Sequence, residues 1–224
     1  MPLFYGEHLM SQNEMNHYEI LLASRSPRRQ ALLQQLQINY RAVDVEVDEC
    51  VKGCIMPEFY VKSMAEAKAM AALAEYRDQI SSRRLLLTAD TVISYAGKII
   101  GKPESEAHFL EIMRRLSNKT HTVFTAITLV GLDDKPGSLA TAKEKFVTML
   151  SESSVTFSIL PEDFIHHYWQ SGEPQDKAGG YAIQGMMAGY IESIEGSYSG
   201  IMGLPLFELR KALEEFGYYL MERE

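Results

Sequence analysis

Apolar and polar positions switch between two periods along the chain, and the switches mark its elements. Ile20, Leu21, Leu22 and Ala23 form a short unbroken apolar run, as a strand buried on both faces does. A polar loop, Ser24-Arg25-Ser26, separates it from Pro27, which suits a first helical turn. Ala31, Leu32, Leu33 and Leu36 then recur at helical spacing, so residues 21–36 predict strand, loop and helix, with Ser26 as the N-cap. From Tyr40 to Asp48 the period becomes two, with Val43, Val45 and Val47 opposite Asp44, Glu46 and Asp48. That is a half-buried strand ending in two carboxylates, Asp48 and Glu49.

Pro57 opens a long helical stretch to Ile80 in which Phe59, Met64, Ala67, Ala71 and Leu73 supply the buried side. The small residues Ala65, Ala67, Ala69, Ala71 and Ala72 permit close packing on a sheet. Leu85 to Ser94 is another apolar run, followed by a turn at Ser94–Lys98 and a return strand at Ile99-Ile100. A helix after Gly101-Lys102-Pro103 buries Phe109, Ile112, Met113 and Leu116. His121 to Leu132 is β-rich, Lys135-Pro136-Gly137 is a turn, and Lys145–Leu150 and Val155–Ile159 predict two further strands. A short helix holds Phe164, Ile165, Tyr168 and Trp169, with His166 and His167 as surface histidines. Glycines recur from Gly179 to Gly203, and Leu204-Pro205-Leu206 starts a closing helix through Leu209, Leu213 and Phe216. Strands alternating with helices predict an α/β protein.

Composition narrows the classes. The 224 residues are 46% hydrophobic and 23% charged, as in a soluble, well-packed chain. A net charge of -8 lacks the basic excess of a duplex-binding surface, so no duplex nucleic acid partner is expected. Any polyanion would have to be small and held locally. No apolar stretch approaches the length of a membrane span, so no membrane partner is expected either. Residues 1–17 carry neither a basic n-region nor an apolar core and are expected to be a loosely ordered extension of a domain spanning 18–224. Cys50 and Cys54 have no partner pair at zinc-finger spacing, which fits reduced thiols and a cytoplasmic location.

Three features suggest chemistry. Arg28 and Arg29 fall in a first helical turn, where cations oppose the helix dipole. An anion held by the free N–H groups, serine hydroxyls and guanidinium forks would relieve that opposition; otherwise the two arginines are simply solvated. Asp90 interrupts an apolar run, where a carboxylate is costly to bury unless paired or bound to a metal. It is the strongest acid–base candidate in the chain. Gln184 is a lone amide between Ile183 and Gly185, able to donate and accept together at a base edge, or to clamp its own loop.

Together the stretches ASRSPRRQALLQQL, VDE, EAKA, TADTVI, GKP, THTVFTAI, DKAGGYAIQG and GSYSGIMGLPL, spanning Leu21 to Leu206, resemble the Maf (septum formation protein) nucleotide pyrophosphatases. The resemblance implies a fold similar to the inosine triphosphate pyrophosphatases: a long twisted mixed sheet flanked by helices, with two lobes around a cleft. It implies metal-dependent hydrolysis of nucleoside triphosphates to the monophosphate and pyrophosphate. The pairs Asp90-Thr91 and DKAGGYAIQG look like the dTTP/UTP subfamily, with 5-modified UTP as a further substrate and nucleotide-pool housecleaning as the role.

By that resemblance Asp90 would be the base that activates water. Arg28, Thr91 and Gln184 would set substrate choice, and Ser24, Arg29, Lys68 and Lys102 would contact phosphates. Glu49 and Asp90 would hold a divalent cation, Mg²⁺ or Mn²⁺, and the enzyme would be a homodimer. Two positions depart from the family pattern. Arg25 stands where a small residue is usual, adding a phosphate contact or narrowing the entrance, and Thr88 replaces a glycine. The alternatives are a different base preference, such as 7-methyl-GTP, or a non-catalytic nucleotide-binding regulator of cell division.

Overall fold

The computed structural model describes residues 18–47, 56–132 and 143–220. Expectations for the N-terminal extension, for Asp48, Glu49, Cys50 and Cys54, and for the turn at Lys135-Pro136-Gly137 fall outside these residues. The strands are β1 (Glu19–Ala23), β2 (Tyr40–Val43), β3 (Arg84–Tyr95), β4 (Lys98–Ile100), β5 (Thr120–Leu132), β6 (Glu144–Phe157) and β7 (Ile191–Glu195). The helices are α1 (Pro27–Gln35), α2 (Pro57–Tyr76), α3 (Glu106–Leu116), α4 (Glu162–Gln170), α5 (Tyr198–Met202) and α6 (Leu206–Glu214). Short 3-10 turns at Glu173–Asp176, Ala178–Gly180 and Met186–Tyr190 carry the chain from α4 to β7.

The strands form one mixed sheet in the order β2-β1-β3-β5-β6-β7, with β4 paired to β3. β1 is parallel to both β2 and β3, and the remaining pairs are antiparallel. The expected α/β fold with a mixed sheet and flanking helices is therefore present. Unbroken apolar runs in β1 and β3 follow from cover on both faces. Ile20, Leu22, Leu85 and Leu87 pack with Leu33 of α1 and Leu213 of α6. Their neighbours Leu21 and Leu86 point the other way, onto Ala69, Ala72 and Leu73 of α2. Each fully buried leucine contributes about 1.5–3 kcal/mol.

Period two then fixes the face of every β3 side chain. Thr88, Asp90 and Val92 follow Leu86 onto the α2 face, while Ala89, Thr91 and Ile93 point away from it. A separate cluster of Phe109, Val123, Phe157, Tyr168 and Tyr181 closes the far end of the sheet beneath α3 and α4.

Four local expectations change. Phe59 is exposed, because the buried stripe of α2 runs through Tyr60, Val61, Met64, Ala65, Ala69, Ala72 and Leu73. The strand predicted from Tyr40 to Asp48 keeps its alternating exposure through Val47, but its ladder ends at Val43. The two strands predicted after Lys145 are one. Ser151 and Ser153, polar enough to suggest a break, are buried, and the Ser153 hydroxyl accepts from Ser197 N at 2.9 Å. Finally, Ser26 occupies the N-cap of α1 without a side-chain cap bond; its own N–H donates to Ser24 Oγ at 3.2 Å. His166 and His167 are exposed, as expected. No helix of the described residues is long and apolar enough to cross a membrane.

Candidate active site

The β1–α1 turn, α2, the middle of β3, the segment after β4 and the glycine-rich loop after α4 surround one cavity of about 640 Å³. Arg28, Arg29, Lys68, Asp90, Thr91, Lys102 and Gln184 all line it, although they come from separate stretches of chain. Ser24 does not: it lines a neighbouring depression with Gln30, Arg41 and Asp44. Glu49 lies outside the described residues.

Asp90 is only 8% exposed. A carboxylate so placed needs a partner, and α2 supplies one: Lys68 Nζ donates to Asp90 Oδ1 at 2.7 Å. One turn earlier on that helix, the carbonyl of Ala65 accepts from the buried Thr88 hydroxyl at 2.7 Å. The threonine that replaces the expected glycine thus ties β3 to the helix that carries Lys68.

On the opposite face of β3, Thr91 is paired with Thr125 of β5 in the ladder, and their hydroxyls lie 2.9 Å apart. Thr125 spends its single proton on the Gly200 carbonyl at 2.8 Å. Thr91 must therefore donate to Thr125, which leaves acceptor lone pairs as its polar face toward the cavity.

The two arginines divide their work. Arg29 is tied into the chain, donating from Nε to Gly203 O at 2.8 Å and from Nη1 to Ser24 Oγ at 3.0 Å. Ser24 thereby acts on the cavity from behind, by holding Arg29. Arg28 is half-buried in the wall, and its charge reaches Asp176 on the opposite rim. The Lys177 ammonium, with Arg28 assisting, holds the Asp176 carboxyl below the usual range. Lys102 and Gln184 are exposed at the mouth. Arg25 turns away from the interior, its Nε donating to Asp44 Oδ1 at 2.6 Å with both side chains largely exposed.

Behind Gln184 stand residues that sequence reasoning left as ordinary packing. Tyr181 lines the cavity, and its hydroxyl lies 2.7 Å from the buried His121 Nε2. Desolvation lowers the His121 pKa to about 4, so the imidazole is neutral. Burial pushes the Tyr168 phenol well above its ordinary value, so it stays protonated and able to donate. Nothing in the local apolar pattern of α4 sets Tyr168 apart; the partners of its hydroxyl, Glu173 and Ala182, lie in the loop that follows.

Among the described residues no group of three or more His, Cys, Asp or Glu side chains is gathered as a metal cage. Asp90 is the buried carboxylate of a cavity that Arg28, Arg29, Lys68 and Lys102 also line, with Glu104 and Asp176 at exposed positions, and its oxygens are the hard donors that a divalent cation takes.

The chain is similar to known proteins over most of its length. The dTTP/UTP pyrophosphatase of Alkalilimnicola ehrlichii is 44% identical over 199 residues, covering 88% of this chain and 92% of its own. That of Aromatoleum aromaticum is 42% identical over 210 residues, covering 90% and 97%. Among solved structures, a HAM1 protein from Coxiella burnetii aligns with a TM-score of 0.43 at 16% identity, covering 88% of this chain and 99% of that one. Residues 19–216 match the family described as Maf-like protein, and the chain belongs to that family.

Proposed function

We propose that this chain hydrolyses dTTP and UTP, and 5-modified UTP, to the monophosphate and pyrophosphate, clearing such nucleotides from the pool. The observation that carries the reading is Asp90, a carboxylate 8% exposed in a cavity whose other charged walls are mainly cationic. Arg28, Arg29, Lys68 and Lys102 form the cradle that lets a net-acidic protein hold a triphosphate. Relatives named dTTP/UTP pyrophosphatase, matching over nearly their whole length, support the substrate class.

In this reading water cleaves the bond between the α- and β-phosphates. The bridging oxygen leaves with pyrophosphate, and the proton lost by water passes to the Asp90 carboxylate. Lys68 holds that carboxylate in place and keeps it facing the cavity. Asp90, with Glu49, would hold Mg²⁺ or Mn²⁺, which when bound neutralises phosphate charge and stabilises the departing pyrophosphate. Thr91 accepts from a ring N–H, and Gln184 answers the neighbouring carbonyl, an edge that uracil and thymine share. Arg28 sits between the phosphate and base ends and contributes to substrate choice. The working enzyme in this reading is a cytoplasmic homodimer whose catalytic domain spans residues 18–224, which light scattering on the purified protein tests.

The deciding experiment incubates the protein and Asp90→Asn with Mg²⁺ and each common nucleoside triphosphate, plus 5-methyl-UTP and 7-methyl-GTP. Monophosphate and pyrophosphate are measured separately. The expected result is turnover confined to UTP, dTTP and 5-methyl-UTP, reduced about 10²–10⁴-fold in Asp90→Asn while nucleotide binding persists. Turnover of 7-methyl-GTP instead would overturn the base assignment. Binding without turnover by the unaltered protein would overturn the enzyme.

A further inference from the structure

Gln184 projects from a loop made of short 3-10 turns, with no strand or long helix to hold it. What holds it is a pair of side chains from outside the cavity wall. Tyr168, fully buried on α4, donates its hydroxyl to Glu173 Oε1 at 2.5 Å and accepts from Ala182 N at 3.1 Å. The other carboxylate oxygen of Glu173 accepts from Met186 N at 3.4 Å. One phenol and one carboxylate thus grip the backbone two residues before and two residues after Gln184.

Between those grips there is no slack. A Cβ on Gly185 would collide with Glu173 Oε1, so the carboxylate rests directly against the glycine backbone. Glu173 is itself held from below, where Lys177 Nζ donates to its carbonyl at 2.5 Å and to Asp176 Oδ1 at 2.6 Å. Both grips need the charge and protonation present. Each carboxylate oxygen accepts from a different donor, which an amide cannot reproduce because its nitrogen only donates. The phenol must keep its proton to donate to Glu173 while its oxygen receives Ala182 N.

We propose that Tyr168 and Glu173 are positioning residues that set where Gln184 meets the base, and so determine base selectivity from behind the loop. The inference rests on the reading of Gln184 as a base contact. It assigns selectivity to two side chains that touch no substrate.

Tyr168→Phe and Glu173→Gln are compared with Gln184→Ala. Each keeps its ring or chain length, so the fold survives removal of the bond; a urea midpoint on each variant checks this. KM and kcat are measured for UTP, dTTP, CTP and GTP with Mg²⁺, and amide hydrogen exchange is followed by mass spectrometry. The expected result for both variants is a KM for UTP raised about tenfold at near-unaltered kcat. Their preference for UTP over CTP should fall in the same direction as in Gln184→Ala. Exchange should quicken in peptides covering residues 182–187 and stay unaltered in β3 and β5.

Tyr168→Phe with unaltered KM and preference, beside a Gln184→Ala that shifts both, would overturn the clamp and spare the base contact. Unaltered exchange at 182–187 would overturn it too. Gln184→Ala with unaltered preference, beside faster exchange in Tyr168→Phe, would sink the base contact and with it the role of the clamp in selectivity.

Discussion

The two walls of the cavity are built on opposite principles. The wall that carries Asp90, Lys68, Arg28 and Arg29 is regular structure. Asp90 and Thr91 sit in the middle of a twelve-residue strand, Lys68 on a twenty-residue helix, and the arginines in the first turn of α1. Backbone ladders and apolar cover hold these positions before any side chain at the site is considered. The wall that carries Gln184 is a chain of one-turn helices held from outside by Tyr168, Glu173, Lys177 and the His121–Tyr181 contact. A phosphate cradle has one anion to meet and gains from rigidity. A base-reading loop gains from being adjustable through its supports, without touching the groups that do the chemistry. Tolerance to substitution should therefore differ between the walls: the first should resist the loss of a tie, and the second should yield.

The largest test of that contrast uses acid. His121 is held near a pKa of about 4 by burial, against an ordinary value of 6.5, so the folded state resists a proton that the unfolded chain accepts. Stability is then fully present above about pH 6.5 and is lost as pH falls toward 4, by an amount on the order of 3 kcal/mol. Urea midpoints at pH 7, 6 and 5 should fall faster in the unaltered protein than in His121→Phe. Hydrogen exchange should quicken first around residues 178–187, because a proton on His121 puts a buried charge beside Tyr181 there. Equal pH slopes in the two proteins would mean that His121 does not support the loop wall, and the contrast would break on that side.

The same difference separates what the sequence reveals from what it hides. Strand, turn and helix at residues 19–35, the buried carboxylate at Asp90, the hairpin at Ile93–Ile100 and the α3 face all follow from local period, and local period is preserved on folding. The gathering of Arg28, Arg29, Lys68 and Lys102 around one cavity does not follow from period; only the family resemblance implies it. Phe59 was misplaced because one apolar residue beside a stripe cannot be told from one within it until the helix has docked. The break foreseen inside β6 failed for a related reason: buried serines become acceptable only when Ser197 and its neighbours arrive from more than forty residues away. Tyr168, Glu173 and His121, the supports proposed for the loop wall, are illegible in the sequence because each bonds to a segment with no period of its own.

A smaller test falls on the regular wall. Thr88→Gly removes the hydroxyl that Ala65 O receives and places a glycine inside a central strand. The loss should be about 2 kcal/mol in urea unfolding, summing a buried hydrogen bond and the backbone entropy of glycine. Because Val61, Ala69 and Ala72 still seat α2 on the sheet, the Lys68–Asp90 pair should keep its register and kcat should stay near its original value. A large drop in kcat would mean that a single tie, and not the packed helix, aligns the Lys68–Asp90 pair. The two walls would then be built alike.

The smallest expected effect is at Arg25, and its smallness is informative. The guanidinium is bonded to Asp44, and the pair is 73% and 62% exposed, so solvent screens it and each side chain loses rotamer freedom to keep it. Asp44 alternates with Val43 and Val45 beyond the end of β2, so the pair holds Arg25 toward the sheet edge. Arg25→Ala should leave the urea midpoint and the KM for UTP unaltered at moderate salt, since in the proposed reading Arg28, Arg29, Lys68 and Lys102 complete the cradle without it. At low ionic strength Asp44→Ala is the sharper variant, because it releases Arg25 from its partner at the cavity rim. A lower KM in Asp44→Ala, reversed by adding Arg25→Ala, would make Arg25 a reserve phosphate contact that Asp44 restrains. An unaltered KM in all three would leave the regular wall complete with the four cations it already holds.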